Sequence, residues 1–119
     1  MDKVNLSEKF ALITEQWQPR VAATLNGQEI KLAKLQGEFV WHHHDNEDEF
    51  FMPIKGRLKI ELRDRTIVLD PGEFFVVPKG VEHKPVAEEE VHLLIFEPAG
   101  TLNTGNVVTE RTLRELRPI

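Results

Sequence analysis

Four residues of the chain have the types and spacing of a transition-metal site. His42 and His44 lie in a run of three histidines, Glu49 follows five residues after the run, and His83 lies further along the chain. Imidazole nitrogens and a carboxylate oxygen together suit Fe(II), Mn(II), Ni(II), Cu(II) or Zn(II). The sequence therefore predicts one divalent transition metal ion, of unspecified identity, held by a mixed nitrogen and oxygen ligand set.

Strand geometry predicts which histidines of the run converge. Residues 38–44 are predicted as a strand, in which alternate side chains point to opposite faces. His42 and His44 then share one face about 7 Å apart along the backbone. His43 has the opposite parity and is expected on the outer face, and Trp41 is expected to point away from the ligands.

Many short strands separated by turn residues are predicted around this run. Asn26-Gly27 is a strong signal for a two-residue hairpin, and a short helix is predicted at each end of the chain. Turn signals every 8–12 residues or so indicate a β-sandwich or barrel. The strands are predicted over 20–25, 28–35, 38–44, 49–55, 57–63, 66–69, 73–77, 83–87 and 91–97, and the helices over 8–13 (capped by Ser7) and 109–116.

Composition excludes several classes of protein. The 119 residues provide room for one domain, and 40% hydrophobic residues are enough to pack a core. A net charge of −5 argues against nucleic acid or an anionic membrane as the main partner. The absence of cysteine excludes disulfides and thiolate zinc sites. Without a signal pattern or a long apolar run, a cytoplasmic location is expected.

Two linked motifs make the chain resemble the cupin superfamily. The first motif, G-x5-H-x-H-x3-4-E-x6-G, is matched by Gly37, His42, His44, Glu49 and Gly56, with four residues instead of five after Gly37. The second motif, G-x5-P-x-G-x2-H-x3-N, is matched by Gly72, Pro78, Gly80 and His83, with Ala87 at the asparagine position. The spacing to Gly56 favours Glu49 over Glu47 and Asp48 as the carboxylate ligand.

The resemblance implies both a fold and a ligand set. The fold is an all-β, double-stranded β-helix barrel of the jelly-roll type with short flanking helices. It is expected to form a single domain over residues 1–119, with a motif core of about 28–98. The implied metal ligands are His42, His44, Glu49 and His83. Because small barrels of this kind often pair by sheet extension, a homodimer is expected.

The activity is left open between two classes. One is a metal-dependent enzyme of the dioxygenase, isomerase or lyase type, acting on a small, polar, oxygen-rich molecule. The other is a non-catalytic sensor or binding module that holds a metal and a small ligand. No catalytic residue is assigned and no organic cofactor is expected. The candidates for a general base are a metal-bound hydroxide, His92 and a carboxylate in the pocket.

Overall fold

The structure is a computed structural model that describes residues 2–119, and it consists of one helix and seven antiparallel strands. This confirms the all-β, jelly-roll type of fold. The strand order is β1-β2-β7-β3-β6, and β4 joins this sheet through β7 and also pairs with β5. The elements are α1 (Leu6–Ala11), β1 (Arg20–Leu25), β2 (Gln28–Glu38), β3 (Glu49–Lys55), β4 (Leu58–Leu62), β5 (Thr66–Leu69), β6 (Phe75–Val77) and β7 (His83–Pro98).

The long strand β7 connects the two halves of the fold. Its first residues pair with β4, and the remainder pairs with β2 and β3. The sequence predicted two strands here, 83–87 and 91–97, but the exposed glutamates at 88–90 continue a single strand of 16 residues. The strand continues through this polar segment because the residues before and after it pair with β2, β3 and β4.

Inward-facing side chains of β7 form part of the core. Leu93 and Ile95 alternate with half-buried outward residues, as strand geometry requires. They pack with buried residues of β3 and β4, including Phe51, Leu58 and Ile60. Full burial of one such aliphatic side chain stabilises the fold by about 1.5–3 kcal/mol. This core fixes the strands whose ends carry the candidate ligands.

The helix covers the opposite face of the sheet. Asn5 caps α1, since its side-chain oxygen accepts a hydrogen bond of 3.0 Å from the backbone N–H of Glu8. The prediction that Ser7 caps a helix over 8–13 was therefore wrong by two residues. Phe10 and Ile13 pack onto Leu32 of β2 in a second cluster. As a result β2 is buried on both faces, and Lys31 points into the barrel.

The predicted C-terminal helix over 109–116 is absent; that segment consists of turns and bends. The prediction was wrong because tertiary contacts hold this segment. Asn103 accepts a hydrogen bond from the backbone of Leu113, and Arg111 donates one to the carbonyl of Glu38. Within residues 2–119, no helix is long and apolar enough to span a bilayer.

Candidate metal centre

The structure brings the four predicted ligands together from three segments of the chain. Glu49 is the first residue of β3, and His83 is the first residue of β7. His42 forms an isolated antiparallel bridge with His83, with backbone hydrogen bonds of 3.1 and 2.9 Å. His44 lies in the connection that leads into β3. The ligand atoms of all four residues lie within 4.8 Å of one another.

The predicted strand over 38–44 was wrong, although its consequence for the ligands holds. β2 runs through Gly37 to Glu38, and only His42 of the histidine run makes a bridge. The run stays extended because His44 accepts a hydrogen bond of 2.7 Å from the backbone N–H of Gly80. Loop contacts, rather than a sheet, therefore give His42 and His44 a common direction.

Backbone carbonyls orient two of the imidazoles. His42 Nδ1 lies 2.8 Å from the carbonyl oxygen of Val40, and His83 Nδ1 lies 2.9 Å from that of Val81. Because a carbonyl only accepts hydrogen bonds, each Nδ1 is assigned the hydrogen. Each Nε2 then keeps a lone pair that can bind a metal, the arrangement usual for ligating histidines.

The donor atoms fit a metal ion better than they fit one another. His44 Nε2 and His83 Nε2 each lie 3.2 Å from Glu49 Oε1. His44 Nε2 is nevertheless buried without a hydrogen-bond partner, because its geometry toward the carboxylate is unsuitable. The exposed fraction is 4% or less for all four residues. Buried polar groups without partners are rare, and a cation between these atoms satisfies them together.

The electrostatics also favour a cation. Burial and the neighbouring His83 lower the pKa of His42 to about 4, which keeps this imidazole neutral at physiological pH. Burial alone would raise the pKa of Glu49, but the neighbouring Glu97, His44 and His83 side chains lower it well below its usual range. The centre therefore offers a carboxylate and an unprotonated imidazole. Burial opposes protonation of His44, but the Glu49 carboxylate outweighs it and raises the pKa of His44.

A loop near the C-terminus holds the histidine run from outside. The backbone N–H of His43 donates a 2.8 Å hydrogen bond to the side chain of Asn106, whose own N–H donates to the carbonyl of His43 at 3.0 Å. Gly105 has φ of +57°, and an added Cβ would lie 2.2 Å from that carbonyl oxygen. Only glycine permits this close approach, so the loop is fitted to the backbone of the run.

The other histidines and Trp41 lie outside the four-ligand cluster. His43 is partly exposed and pairs with Asp45 at 2.9 Å. His92 stacks on Phe10 beneath α1, with ring centroids 4.7 Å apart, so it is a packing residue rather than a candidate base at the site. Trp41 lies under the Arg63 guanidinium, 3.7 Å from the ring centroid.

An ion pair beside the site was not predicted from the sequence. Lys31 Nζ and Glu97 Oε1 lie 2.6 Å apart, and their side chains are 2% and 3% exposed. Burial and the adjacent Glu49 carboxylate raise the pKa of Glu97 well above its usual range. The signal in the sequence was the alternation of side chains along a strand. Glu97 lies two residues after Ile95 and four after Leu93, so it points to the same inward face as these two residues. A charged residue at an inward position of a strand is a candidate functional residue.

A pocket opens beside the cluster. It has an empty volume of about 430 Å³ including its mouth, and its lining is mostly apolar. His42, Glu49 and Glu97 lie in its wall together with Phe39 and Trp17. A molecule in this pocket would contact the candidate metal ligands directly.

Known proteins resemble the chain over most of its length. The sequence profile of the cupin domain family matches residues 22–97. The solved structure of a cupin-2 domain containing protein from Shewanella frigidimarina is 49% identical, with a TM-score of 0.79, over 80% of this chain and 93% of that one. A solved protein from Neisseria meningitidis is 31% identical, with a TM-score of 0.75, over 82% of this chain and all of that one.

One curated protein is also similar. The uncharacterised protein YdbB of Bacillus subtilis is 38% identical over 61 residues, which is 50% of this chain. The match spans about half of that relative, 54% of its length.

Proposed function

The chain belongs to the cupin family, and we propose that it binds one divalent transition metal ion and acts as a metal-dependent enzyme on a small molecule. The ion is held by His42, His44, Glu49 and His83. The observation that carries this proposal is the buried Nε2 of His44, which lies among three further donor atoms and has no hydrogen-bond partner. Two of the other donors are imidazoles whose lone pairs are oriented by backbone carbonyls.

The pocket favours catalysis over simple metal storage. When bound, such an ion supplies a Lewis acid, or an O2-activating centre if it is Fe(II). The chain itself contributes a mostly apolar pocket next to the ligands and the buried carboxyl group of Glu97 in its wall. An apolar pocket at this position would hold a small molecule beside the ion.

Metal analysis and turnover together test the proposal. Purified protein is stripped with a chelator, reloaded separately with Fe(II), Mn(II), Ni(II) or Zn(II), and assayed for metal content. Oxygen uptake and product formation are then followed with a panel of phenols, acids and sugars. We expect one ion per chain and turnover with at least one metal. A His44→Ala, His83→Ala double variant should lose both, and a His43→Ala control should keep both. Full metal occupancy in the double variant would refute the site, and binding without turnover would indicate a binding module.

We also propose that the chain forms a homodimer. The edge of β1, which could pair by sheet extension, is partly covered, because Val21 exchanges backbone hydrogen bonds of 2.9 Å with Arg117 and Ile119. The outer face of β3 beside β6 is a better contact surface, since Phe50 packs against Phe74, which precedes β6 and is 60% exposed. Light scattering at micromolar concentration tests this, and a mass near 13.7 kDa would reject it.

A further inference from the structure

The pocket beside the metal centre has a chemical character of its own. Apart from the candidate ligands, Glu97 and Asn103, its wall is formed by apolar side chains, which include Leu35, Phe51 and Leu93. A sugar has hydroxyl groups all around its ring, and most of them would find no partner here. Each hydroxyl buried without a partner weakens binding roughly 5- to 150-fold. The wall therefore selects against polyols and for a molecule with an apolar body.

Aromatic side chains form the remaining wall and are held in place before any ligand binds. Trp17 stacks on Phe39 with ring centroids 4.8 Å apart and an interplanar angle of 10°. The indole N–H donates a 2.8 Å hydrogen bond to the carbonyl of Gln36, and the backbone N–H of Trp17 donates one of 2.8 Å to Lys34. Trp17 has φ of +62°. Such a conformation persists in a non-glycine residue only when its surroundings impose it.

Glu97 is the polar residue of this wall that keeps an unpaired atom, because the side-chain amide of the other one, Asn103, already bonds to Arg111 and Leu113. Its Oε1 is paired with Lys31, but its Oε2 is buried without a hydrogen-bond partner. The residue is 3% exposed and lies in the pocket lining next to Glu49. Buried carboxyl oxygens are rarely left unpaired, so a donor group placed against this atom would satisfy it. A hydroxyl group both donates and accepts hydrogen bonds, and it can pair with the carboxyl in either protonation state.

We propose that the pocket takes a small aromatic molecule with two adjacent oxygens, one directed to the metal ion and the other a hydroxyl group paired with Glu97 Oε2. This rests on the proposed metal site and narrows its ligand class from oxygen-rich molecules in general to catechol-like ones. Trp17 and Phe39 would contact the flat apolar ring of the ligand, and Glu97 would make one hydrogen bond to it at the metal end.

The two tryptophans of the chain supply a matched pair of reporters. Trp17 lies in the pocket wall, whereas Trp41 lies outside it under Arg63. Trp41→Phe protein therefore reports from Trp17 alone, and Trp17→Phe protein reports from Trp41 alone. Both are loaded with Zn(II), which has no redox chemistry, and titrated with catechol, 2-fluorophenol and myo-inositol. Zinc content is measured before and after each titration.

Catechol should quench the fluorescence of Trp17 but not that of Trp41. It should bind at least about 5-fold more tightly than 2-fluorophenol, which lacks the second hydroxyl, and at least about 100-fold more tightly than myo-inositol. The variant Lys31→Met, Glu97→Leu removes the ion pair as a unit. It should keep zinc but bind catechol and 2-fluorophenol equally.

Each alternative result overturns a specific part of the proposal. Equal binding of catechol and 2-fluorophenol to the Trp41→Phe protein would overturn the role of Glu97, even if the double variant does not fold. A folded double variant that prefers catechol over 2-fluorophenol as strongly as before would also overturn the role of Glu97, since chelation of the zinc ion by both catechol oxygens would then explain the preference. If myo-inositol binds as tightly as catechol, the proposal that the ligand has an apolar body is wrong. Failure to load zinc would instead refute the proposed metal site, and the ligand proposal with it.

Discussion

Replacing two adjacent histidines separately distinguishes a metal ligand from its neighbour in the sequence. His44→Ala removes an imidazole whose Nε2 lies 3.2 Å from Glu49 Oε1 in the cluster. His43→Ala removes a side chain that is 26% exposed and paired with Asp45. The backbone hydrogen bonds between residue 43 and Asn106 are kept in that variant. Both changes replace an imidazole by a methyl group, one at a buried position in the cluster and the other at a partly exposed position outside it.

The expected magnitude follows from binding linkage. An ion at 100 times its Kd that binds only the folded state stabilises it by about 2.7 kcal/mol. For 119 residues, an unfolding entropy of about 2.1 cal/mol/K per residue gives about 0.25 kcal/mol/K in total, so the Tm rises by about 11 °C. Loss of one ligand should weaken binding at least about 100-fold, since loss of a supporting hydrogen bond alone weakens it about 10- to 100-fold. At the same zinc concentration, His44→Ala should then gain only about 2 °C.

Thermal melts of chelator-stripped protein with and without Zn(II) measure these shifts. The zinc concentration is set at 100 times the Kd of the unmodified protein, and bound zinc is counted by elemental analysis. The unmodified protein and His43→Ala should both gain about 11 °C. If His44→Ala gains as much, His44 is not a ligand. If His43→Ala loses the gain as completely as His44→Ala, the orientation of the histidine run described here is wrong.

Three further predictions concern protons, charge and backbone. Burial opposes protonation of His44, but the adjacent carboxylate raises its pKa above 6.5. Protons therefore compete with the metal below that pKa, and the zinc Kd should rise about tenfold per pH unit between pH 6 and 5 in competition titrations. A zinc Kd that does not change over this pH range would contradict histidine ligation. Lys31→Met removes one partner of a buried ion pair and should lower the free energy of unfolding, measured in urea, by about 3–5 kcal/mol. The Lys31→Met, Glu97→Leu variant should recover most of this loss. An equal loss of stability in the single and the double variant would mean that the two side chains are not energetically linked. Gly105→Ala should lower both the Tm and the zinc affinity, because the added Cβ would lie 2.2 Å from the carbonyl oxygen of His43. The control Gly100→Ala, at φ of +85° with nothing within 4 Å of its Cβ, should lower only the Tm. If the two variants change the zinc affinity equally, the loop has no role in the site.

Local sequence signals predicted elements whose ends are marked by turn residues. The bounds of β1, β3 and β5 agree with the predicted strands. The hairpin at Asn26-Gly27 is also confirmed, with φ of +50° and +76° at the two residues. These elements were predictable because their alternation and their turns are properties of a few neighbouring residues.

Elements that depend on distant contacts were predicted wrongly. The histidine run is extended without being a strand, since its partners are Gly80, His83 and Asn106 from elsewhere in the chain. The C-terminal segment had enough helical propensity to predict a helix, but its hydrogen bonds to other loops hold it in turns. Tertiary contacts routinely override the weak preference of a short helix.

The sequence by itself determined the identity of the four candidate ligands, because residue type and motif spacing are written directly in it. It also excluded thiolate chemistry, since the chain has no cysteine. Only the tertiary structure decided what surrounds those ligands. In the sequence Lys31 stands between the apolar Ile30 and Leu32, but α1 buries the apolar face of β2 and leaves Lys31 pointing inward to Glu97. Whether a charged side chain is solvated or buried depends on which segments pack over its strand, and that packing joins residues far apart in the chain.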